Sequence, residues 1–295
     1  MCPMVSLTEF TRTLVPGSTR LKEAEAEVAR LRQRVKAERQ QSNDLKRELK
    51  RAKRGVQKLR AQVAALEDEV LDTRLPEDVA ATVRGVRAEH LTYLPITHLS
   101  TLASTVLDIE ADGIPGALVE AGTARGGSAI VMAAAKAPTR PMYVYDVFAQ
   151  IPPPSDRDGA DVHERYETIA AGKARGVGGE LYYGYRDDLY REVSESFARH
   201  GVAPETSNVQ LVKGLFQDTI DLDEPIALAH LDGDWYESTM TCLERIAPLI
   251  SPGGRIVLDD YYAWSGCRGA VDDYLAEHPG FRREARGRLH LVREG

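Results

Sequence analysis

From residue 117 onward, short β-branched runs alternate with stretches of helical periodicity. The strand candidates are ALVEAG, MYVYDVF, NVQLVKG, ALAHLDGD and RIVLDDY, and a helical pattern follows most of them. This alternation is typical of βαβ units, whose strands pair in parallel. The closing stretch FRREARGRLHLVRE predicts a hairpin instead, because its central Arg-Gly can reverse the chain. We therefore predict an α/β body with a doubly wound, mostly parallel seven-stranded sheet.

Acidic residues follow the apolar runs of the last two parallel strands. Asp232 and Asp234 follow IALAHL, and Asp259 and Asp260 follow GRIVL. Aspartate is a poor strand former and rarely lies unpaired at the end of a buried segment, so a partner is expected to compensate these charges. Ligands of doubly wound sheets bind beyond the carboxyl ends of the strands, and all four aspartates fall there.

The first strand candidate runs into a glycine-rich turn, VEAGTARGGSAI. Glu120 ends the strand, Gly122 begins the turn, and Ser128 opens a helix whose free amides favour a carboxylate or phosphate. The spacing is neither GxGxxG nor GxxxxGK[ST], which argues against a standard dinucleotide site and against triphosphate binding. Asp146 ends the second strand, where it can accept hydrogen bonds from ribose hydroxyls. A nucleoside with a carboxylate end, such as S-adenosylmethionine, fits this pattern. The alternative is that the glycines only form a tight βα turn and bind no ligand.

From about Tyr93 to the C-terminus the chain resembles the macrocin O-methyltransferase family. The resemblance is carried by GIPGALVEAGTARGGSAI, VYDVF, LVKGLFQDTI, LAHLDGDWYEST and ISPGGRIVLDDY, and residues 1–72 fall outside it. It implies the class I methyltransferase fold, S-adenosylmethionine as cofactor, and a sugar hydroxyl of a glycosylated natural product as acceptor. It also implies a set of residues around the cofactor: Glu120, Gly122, Ser128, Asp146, Phe216 and Asp218.

The resemblance further implies a divalent metal held by Asp232, Asp259 and Asp260, with Asp234 near the reacting hydroxyl. The chemistry of these side chains supports this independently. The fourth and fifth strands are predicted neighbours, so their terminal carboxylates can converge. Three carboxylates with open positions suit Mg²⁺, which retains water or substrate oxygens in its shell.

Two roles for Asp234 are compatible with the sequence. Two residues along an extended strand it would share a face with Asp232, and it would then act as the general base for the acceptor hydroxyl. Alternatively, Asp234 caps the helix that begins near Tyr236 or contacts a metal-bound water, since aspartate is a favoured N-cap residue.

Residues 149–187 form a long insertion after the second strand. An insertion at the ligand edge of a sheet is typical of a lid or a substrate wall. Its candidate substrate contacts are His163, Tyr182, Tyr183 and Tyr185. The alternative is that these side chains only pack the insertion onto the body. His230 is interpreted as a core histidine because it lies inside a strand.

An apolar heptad repeat precedes the body. Apolar residues recur every seven positions from Leu14 to Val70, with a companion series from Ala24 to Leu66, interrupted by Glu38 and Ser42. This pattern predicts a self-associating coiled coil, with parallel and antiparallel pairs both open. The predicted organisation is a tail (1–19), a coiled coil (20–73), a helical linker and cap (74–116) and a methyltransferase domain (117–295).

Charge and cysteine content narrow the function classes. The formal net charge is −7, and the basic surplus lies in the heptad region, so the body is acidic and is not expected to bind nucleic acid. Three cysteines without CxxC spacing and the absence of a long apolar run predict a cytoplasmic protein without a membrane anchor. Rival functions are a metal-dependent methyltransferase of catechol-like hydroxyls, a non-catalytic binding module, and a nicotinamide oxidoreductase, which the glycine spacing disfavours.

Overall fold

The computed structural model describes residues 17–295. Most of the predicted tail, together with the heptad residue Leu14 and Cys2, lies outside the described residues. The chain divides into two compact units, one ending at Leu66 and the other beginning at Glu67.

The first element is a single long helix, α1 (Gly17–Arg74). No proline interrupts it, and Pro76 follows its last residue by two positions. The helix covers the segment in which the heptads predict a coiled coil. The end of α1 belongs to the second unit, where the buried side chain of Leu71 joins the core of the body.

The body contains the seven-stranded sheet that the sequence predicts. Its strands are β1 (Ala117–Ala121), β2 (Met142–Asp146), β3 (Val209–Lys213), β4 (Ile226–Leu231), β5 (Ile250–Leu258), β6 (Phe281–Arg286) and β7 (Arg288–Arg293). They lie in the order β3-β2-β1-β4-β5-β7-β6. Only β7 pairs in antiparallel fashion with its neighbours, β5 and β6. The predicted adjacency of β4 and β5 is confirmed, and Gly287 makes the hairpin turn with φ +77°.

Helices cover both faces of this sheet. They are α2 (Glu77–Ala88), α3 (Ile96–Ala111), α4 (Gly127–Ala135), α5 (Ala160–Ala170), α6 (Leu189–Arg199), α7 (Phe216–Thr219), α8 (Tyr236–Ile246) and α9 (Ser265–Glu277). Alternate strand residues enter different cores: Leu118 packs in the cluster with α2, α3 and α4, and Val119 in the cluster with α8 and α9. Each such buried side chain contributes about 1.5–3 kcal/mol, and the two layers fix the strand ends that carry the acids.

The insertion forms α5 and two short 3-10 turns, Val177–Gly179 and Tyr183–Tyr185, before α6 begins. Within residues 17–295, no helix combines the length and the apolar character required to cross a lipid bilayer.

Candidate functional site

A cavity of about 420 Å³ opens at the carboxyl ends of the parallel strands, a size ordinary for a small-molecule site. Its walls come from the loops after β1, β2, β3 and β4, from the insertion and from the start of α8. The lining residues that matter chemically are Gly122, Asp146, Tyr183, Phe216, Asp232, Asp234 and Trp235. Each of these loops follows a strand that the sequence pattern identifies, so the topology alone brings them together.

The turn after β1 depends on a residue without a side chain. Gly122 adopts φ +87° and donates its amide to the Tyr145 carbonyl at 2.8 Å, while the amide of Asp232 bonds to the Ala121 carbonyl. A Cβ on Gly122 would overlap the carbonyl oxygen of Asp232. The close approach of these two loops therefore requires glycine.

Gly122→Ala is expected to destabilise the fold more than Gly172→Ala does. Gly172 has a similar positive φ, +69°, but open space where its Cβ would lie. Both substitutions lower the free energy of unfolding by about 1–2 kcal/mol, because alanine disfavours the left-handed backbone. The steric overlap at Gly122 lowers it by about a further 1–3 kcal/mol. Calorimetric unfolding of the two variants checks this. Equal melting temperatures would mean that the loops do not approach as closely as described.

Glu120 and Ser128 lie behind the cavity wall. Glu120 is fully buried and accepts hydrogen bonds from the Ser128 hydroxyl at 2.5 Å and from His230 Nδ1 at 3.0 Å. Neither Glu120 nor Ser128 lines the cavity. In this arrangement both residues fix the glycine-rich turn, and direct contact with a cofactor stays a prediction.

Asp146 holds the same turn from the second strand. Its Oδ2 accepts the amides of Thr123 at 2.8 Å and Ala124 at 3.2 Å, and its Oδ1 accepts the amide of Phe148 at 2.6 Å. Burial outweighs these three bonds and raises the pKa of the carboxyl. A carboxylate offers about four acceptor positions, so one remains for a ligand hydroxyl in the cavity.

Phe216 and Asp218 are the other two residues that the resemblance implies around the cofactor, and only one of them lines the cavity. Phe216, at the start of α7, lines the cavity. Asp218 is exposed on the same short helix and is absent from the lining.

The strand-end acids converge as the sequence predicts. One carboxylate oxygen from each of Asp232, Asp259 and Asp260 lies within 4.8 Å of the other two. The amide of Asp259 bonds to the Leu231 carbonyl, which fixes the two loops side by side. Carboxylate oxygens are the ligands that Mg²⁺ prefers, so these three side chains would be the ones to hold such an ion.

The charges in this cluster oppose one another. Partial removal from water, then the charges of Asp259 and Asp260, raise the pKa of Asp232 well above its ordinary value. Burial and the charge of Asp259 raise the pKa of Asp260 to about 6. A bound cation would relieve this repulsion, because it favours the ionised form of every carboxylate around it.

Asp259 has protein partners of its own. Its two oxygens accept Nε and a terminal nitrogen of Arg288 at 2.8 and 3.2 Å. His230 Nε2 lies 3.8 Å from the same carboxylate. Burial would raise the pKa of Asp259, but His230 and Arg288 hold it below its ordinary value. Asp259 is therefore the ionised, oriented member of the cluster.

His230 links the two halves of the site. It is buried, as the interpretation of a core histidine requires, but it bridges Glu120 and Asp259. Burial alone would lower its pKa, whereas these carboxylates raise it to about 9. No spacing pattern predicts this bridge or the contact of Arg288, because both depend on the register of β1, β4, β5 and β7.

Asp234 does not cap α8. The side chain that accepts the Tyr236 amide at the start of that helix is Asp158, at 2.8 Å. Asp158 is a buried residue of the insertion, and its approach is not visible in sequence. The helix-cap alternative for Asp234 is therefore wrong, while the carboxyl itself lines the cavity.

The expected strand geometry around Asp234 is also corrected. β4 ends at Leu231, so Asp232 and Asp234 lie in a turn rather than on one face of a strand. Asp234 adopts φ +58°, and its amide donates to Asp260 Oδ2 at 3.2 Å. Burial and the charges of Asp260 and Asp259 raise the pKa of its carboxyl well above its ordinary value.

The insertion supplies one wall of the cavity. Trp235 Nε1 donates to the Pro152 carbonyl at 3.0 Å, and Tyr183 lines the cavity. Tyr182 is buried in a small cluster with Ile169 and Ala174. The hydroxyl of Tyr185 donates to the Ile169 carbonyl, and His163 lies on α5 away from the lining. Packing contacts therefore account for Tyr182 and Tyr185, and a substrate contact remains a prediction for all four.

Comparison with known proteins decides the family. A profile described as macrocin-O-methyltransferase (TylF) matches residues 40–279. This chain belongs to the macrocin O-methyltransferase family. The match begins inside α1 and ends before the β6–β7 hairpin, so the expectation that residues 1–72 fall outside the resemblance is wrong for residues 40–72.

Two relatives of this O-methyltransferase come from Streptomyces species. It is 36% identical over 193 residues to 8-demethyl-8-(2,3-dimethoxy-alpha-L-rhamnosyl)-tetracenomycin-C 4'-O-methyltransferase of Streptomyces olivaceus, covering 63% of this chain and 68% of that protein. It is 30% identical over 218 residues to demethyldecarbamoylnovobiocin O-methyltransferase of Streptomyces niveus, covering 70% and 76%. The solved structure of the O-methyltransferase NovP matches with a TM-score of 0.58 and 27% identity, over 70% of this chain and 83% of that one.

Proposed function

We propose that this O-methyltransferase transfers a methyl group from S-adenosylmethionine to a hydroxyl of a sugar or glycosylated metabolite, with Mg²⁺ bound at the acid cluster. The observation that carries the proposal is the cluster of Asp232, Asp259 and Asp260 at the edge of the cavity. Its member Asp232 lines the same cavity as Asp234 and as Gly122 and Asp146 of the glycine-rich turn. The names of the relatives support the acceptor class, since one of them acts on a rhamnosyl compound.

The residues present fit both the cofactor and the ion. Gly122, Asp146 and Phe216 line the part of the cavity suited to an adenosine, and Asp232, Asp259 and Asp260 would hold the ion. S-adenosylmethionine supplies an electrophilic methyl group on a sulfonium, and Mg²⁺ supplies positive charge that lowers the pKa of a nearby hydroxyl.

Asp234 is the residue to which we assign proton acceptance. It lines the cavity beside Asp232, so an acceptor hydroxyl bound at the acid cluster would lie within reach of its carboxylate. Trp235, Tyr183 and the prolines of the insertion cover this end of the cavity and limit access of water. Arg288 and His230 keep Asp259 ionised and oriented.

Methyl transfer is tested with labelled S-adenosylmethionine and a panel of deoxysugar glycosides, nucleotide sugars and catechols, analysed by mass spectrometry. A methylated sugar that forms with Mg²⁺ but not in excess chelator supports the proposal. If only catechols are methylated, the acceptor is not a sugar and the enzyme is a methyltransferase of catechol-like hydroxyls. Titration calorimetry with S-adenosylmethionine, S-adenosylhomocysteine and NAD⁺ separates the rivals, since a nicotinamide enzyme would bind NAD⁺ instead.

Asp146→Ala should weaken binding of S-adenosylmethionine by roughly 10- to 150-fold, because a hydrogen bond to a charged group is worth about 1.5–3 kcal/mol. The loss of its three amide contacts acts in the same direction. Titration calorimetry measures the effect. Asp218→Ala is the matched control and should leave affinity unchanged, since Asp218 is exposed outside the cavity lining. If both variants lose the same affinity for S-adenosylmethionine, the cofactor does not bind in the cavity described above.

A further inference from the structure

The helix α1 carries a stripe of exposed apolar side chains that only Glu38 and Ser42 interrupt near its middle. Its exposed large hydrophobic residues, each 46–62% accessible, are Val28, Leu31, Val35, Leu45, Leu49, Val56, Leu59, Val63 and Leu66. Every one of them falls at the first (a) or fourth (d) position of the heptad, while the other positions are mostly charged or polar. An apolar stripe of this length in water is typical of a helix whose partner is another helix.

We propose that this stripe pairs with the same stripe of a second copy of the chain, in parallel and in register. The seam supports a two-stranded parallel coil, because it mostly places valine at a and leucine at d. In register, Ser42 at a meets Ser42 of the second copy. A polar pair in an otherwise apolar seam disfavours shifted alignments, which would place it against an apolar side chain.

The flanking charges agree with the parallel arrangement. Residues at the seventh position (g) of one helix then meet residues at the fifth position (e) of the next heptad in its partner. These pairs set Glu27 against Arg32 and Glu48 against Lys53. The single unfavourable pair sets Arg34 against Arg39. Glu38, at position d, faces Glu38 of the second copy, and these two carboxylates lie beside Arg34 and Arg39, so the like charges of this layer offset one another.

The antiparallel arrangement brings like charges together. Folding two copies about the midpoint of the seam brings the acidic end KEAEAE near the basic end VQKLR, but it sets Arg32 against Lys53 and Arg39 against Lys46 at its centre. If one antiparallel helix is shifted by one heptad relative to the other, Arg39 faces Arg39 for one direction of the shift and Lys46 faces Lys46 for the other. Either shift also shortens the stretch over which the two helices overlap. Each contact is worth only about 0.2–1 kcal/mol, and together these contacts add to the parallel preference of a seam with valine at a and leucine at d.

The test uses the full chain. Light scattering should give a dimer, and Val35→Glu should raise the dissociation constant at least tenfold by placing a charge in the seam. Gln40→Glu is the matched control, because position 40 is exposed opposite the seam. A monomeric wild-type chain, or a Val35→Glu variant that stays as dimeric as the control, overturns the proposal. Calorimetric titration of S-adenosylmethionine should be the same in all three proteins, which separates this result from any failure of the proposed function.

Orientation is tested with single cysteines on a Cys2→Ser background, since Cys242 and Cys267 are buried. Val63→Cys should form an intermolecular disulfide rapidly under mild oxidation, because parallel helices place the two residues side by side. In an antiparallel pair they would be separated by about 58 Å, at 1.5 Å per residue. Arg54→Cys, on the outer face, is the collisional control. A dimer in which Val63→Cys reacts no faster than Arg54→Cys overturns the parallel arrangement.

Discussion

Asp232→Asn is expected to lower methyl transfer by roughly 10³-fold and to abolish its response to added Mg²⁺. The substitution removes one of three carboxylates within 4.8 Å of one another, at a position where the ion would hold the acceptor oxygen. Losing several kcal/mol of charge stabilisation corresponds to about that factor. Turnover measured against Mg²⁺ concentration, beside Mn²⁺ titration calorimetry, checks both effects.

Asp221→Asn is the matched control for this variant, because it removes one exposed carboxylate on the loop before β4. It should retain wild-type turnover and the same Mg²⁺ dependence. If Asp232→Asn keeps its activity and still responds to Mg²⁺, the three aspartates are not the ion site. Asp260→Asn should behave like Asp232→Asn, since both side chains belong to the same cluster.

Asp234→Asn is expected to bind the cofactor and the metal as the wild type does and to lose about 10²- to 10⁴-fold in rate, the usual span for a general base. Asparagine tolerates the left-handed backbone found there, φ +58°, and keeps the amide that donates to Asp260. The fold should therefore be unaffected. Single-turnover rates at saturating cofactor, with Mn²⁺ affinity measured in parallel, separate chemistry from binding.

Two outcomes would remove the base role from Asp234. A rate within a few-fold of wild type would show that no essential proton passes to this carboxyl. A collapse of metal affinity would show that Asp234 is itself a ligand and that the base lies elsewhere. The helix-capping role cannot explain a loss of rate, because Asp158 caps α8.

The adjacency of the fourth and fifth strands and the meeting of their terminal acids were predictable, because both follow from short-range patterns and the doubly wound topology. Apolar runs end at Asp146, Asp232 and Asp259, and the doubly wound topology brings neighbouring strand ends to one edge. Those patterns identify which residues reach the site without defining what each one contacts.

The contacts that sequence reasoning missed are all tertiary. Asp158 reaches α8 across the insertion, and Arg288 reaches Asp259 across the β5–β7 pairing. Glu120 was predicted beside the cofactor, yet its carboxylate faces inward to Ser128 and His230, since a buried charge must find partners nearby. The left-handed backbone at Asp234 also depends on the loop that follows β4.

Crystals grown with S-adenosylhomocysteine and Mn²⁺ test the central claim most directly, because Mn²⁺ is located by its anomalous scattering and needs no knowledge of the acceptor. The account predicts one anomalous peak among Asp232, Asp259 and Asp260, with the nucleoside in the cavity between Gly122 and Phe216. A peak elsewhere, no peak at saturating Mn²⁺, or a nucleoside outside that cavity would contradict it.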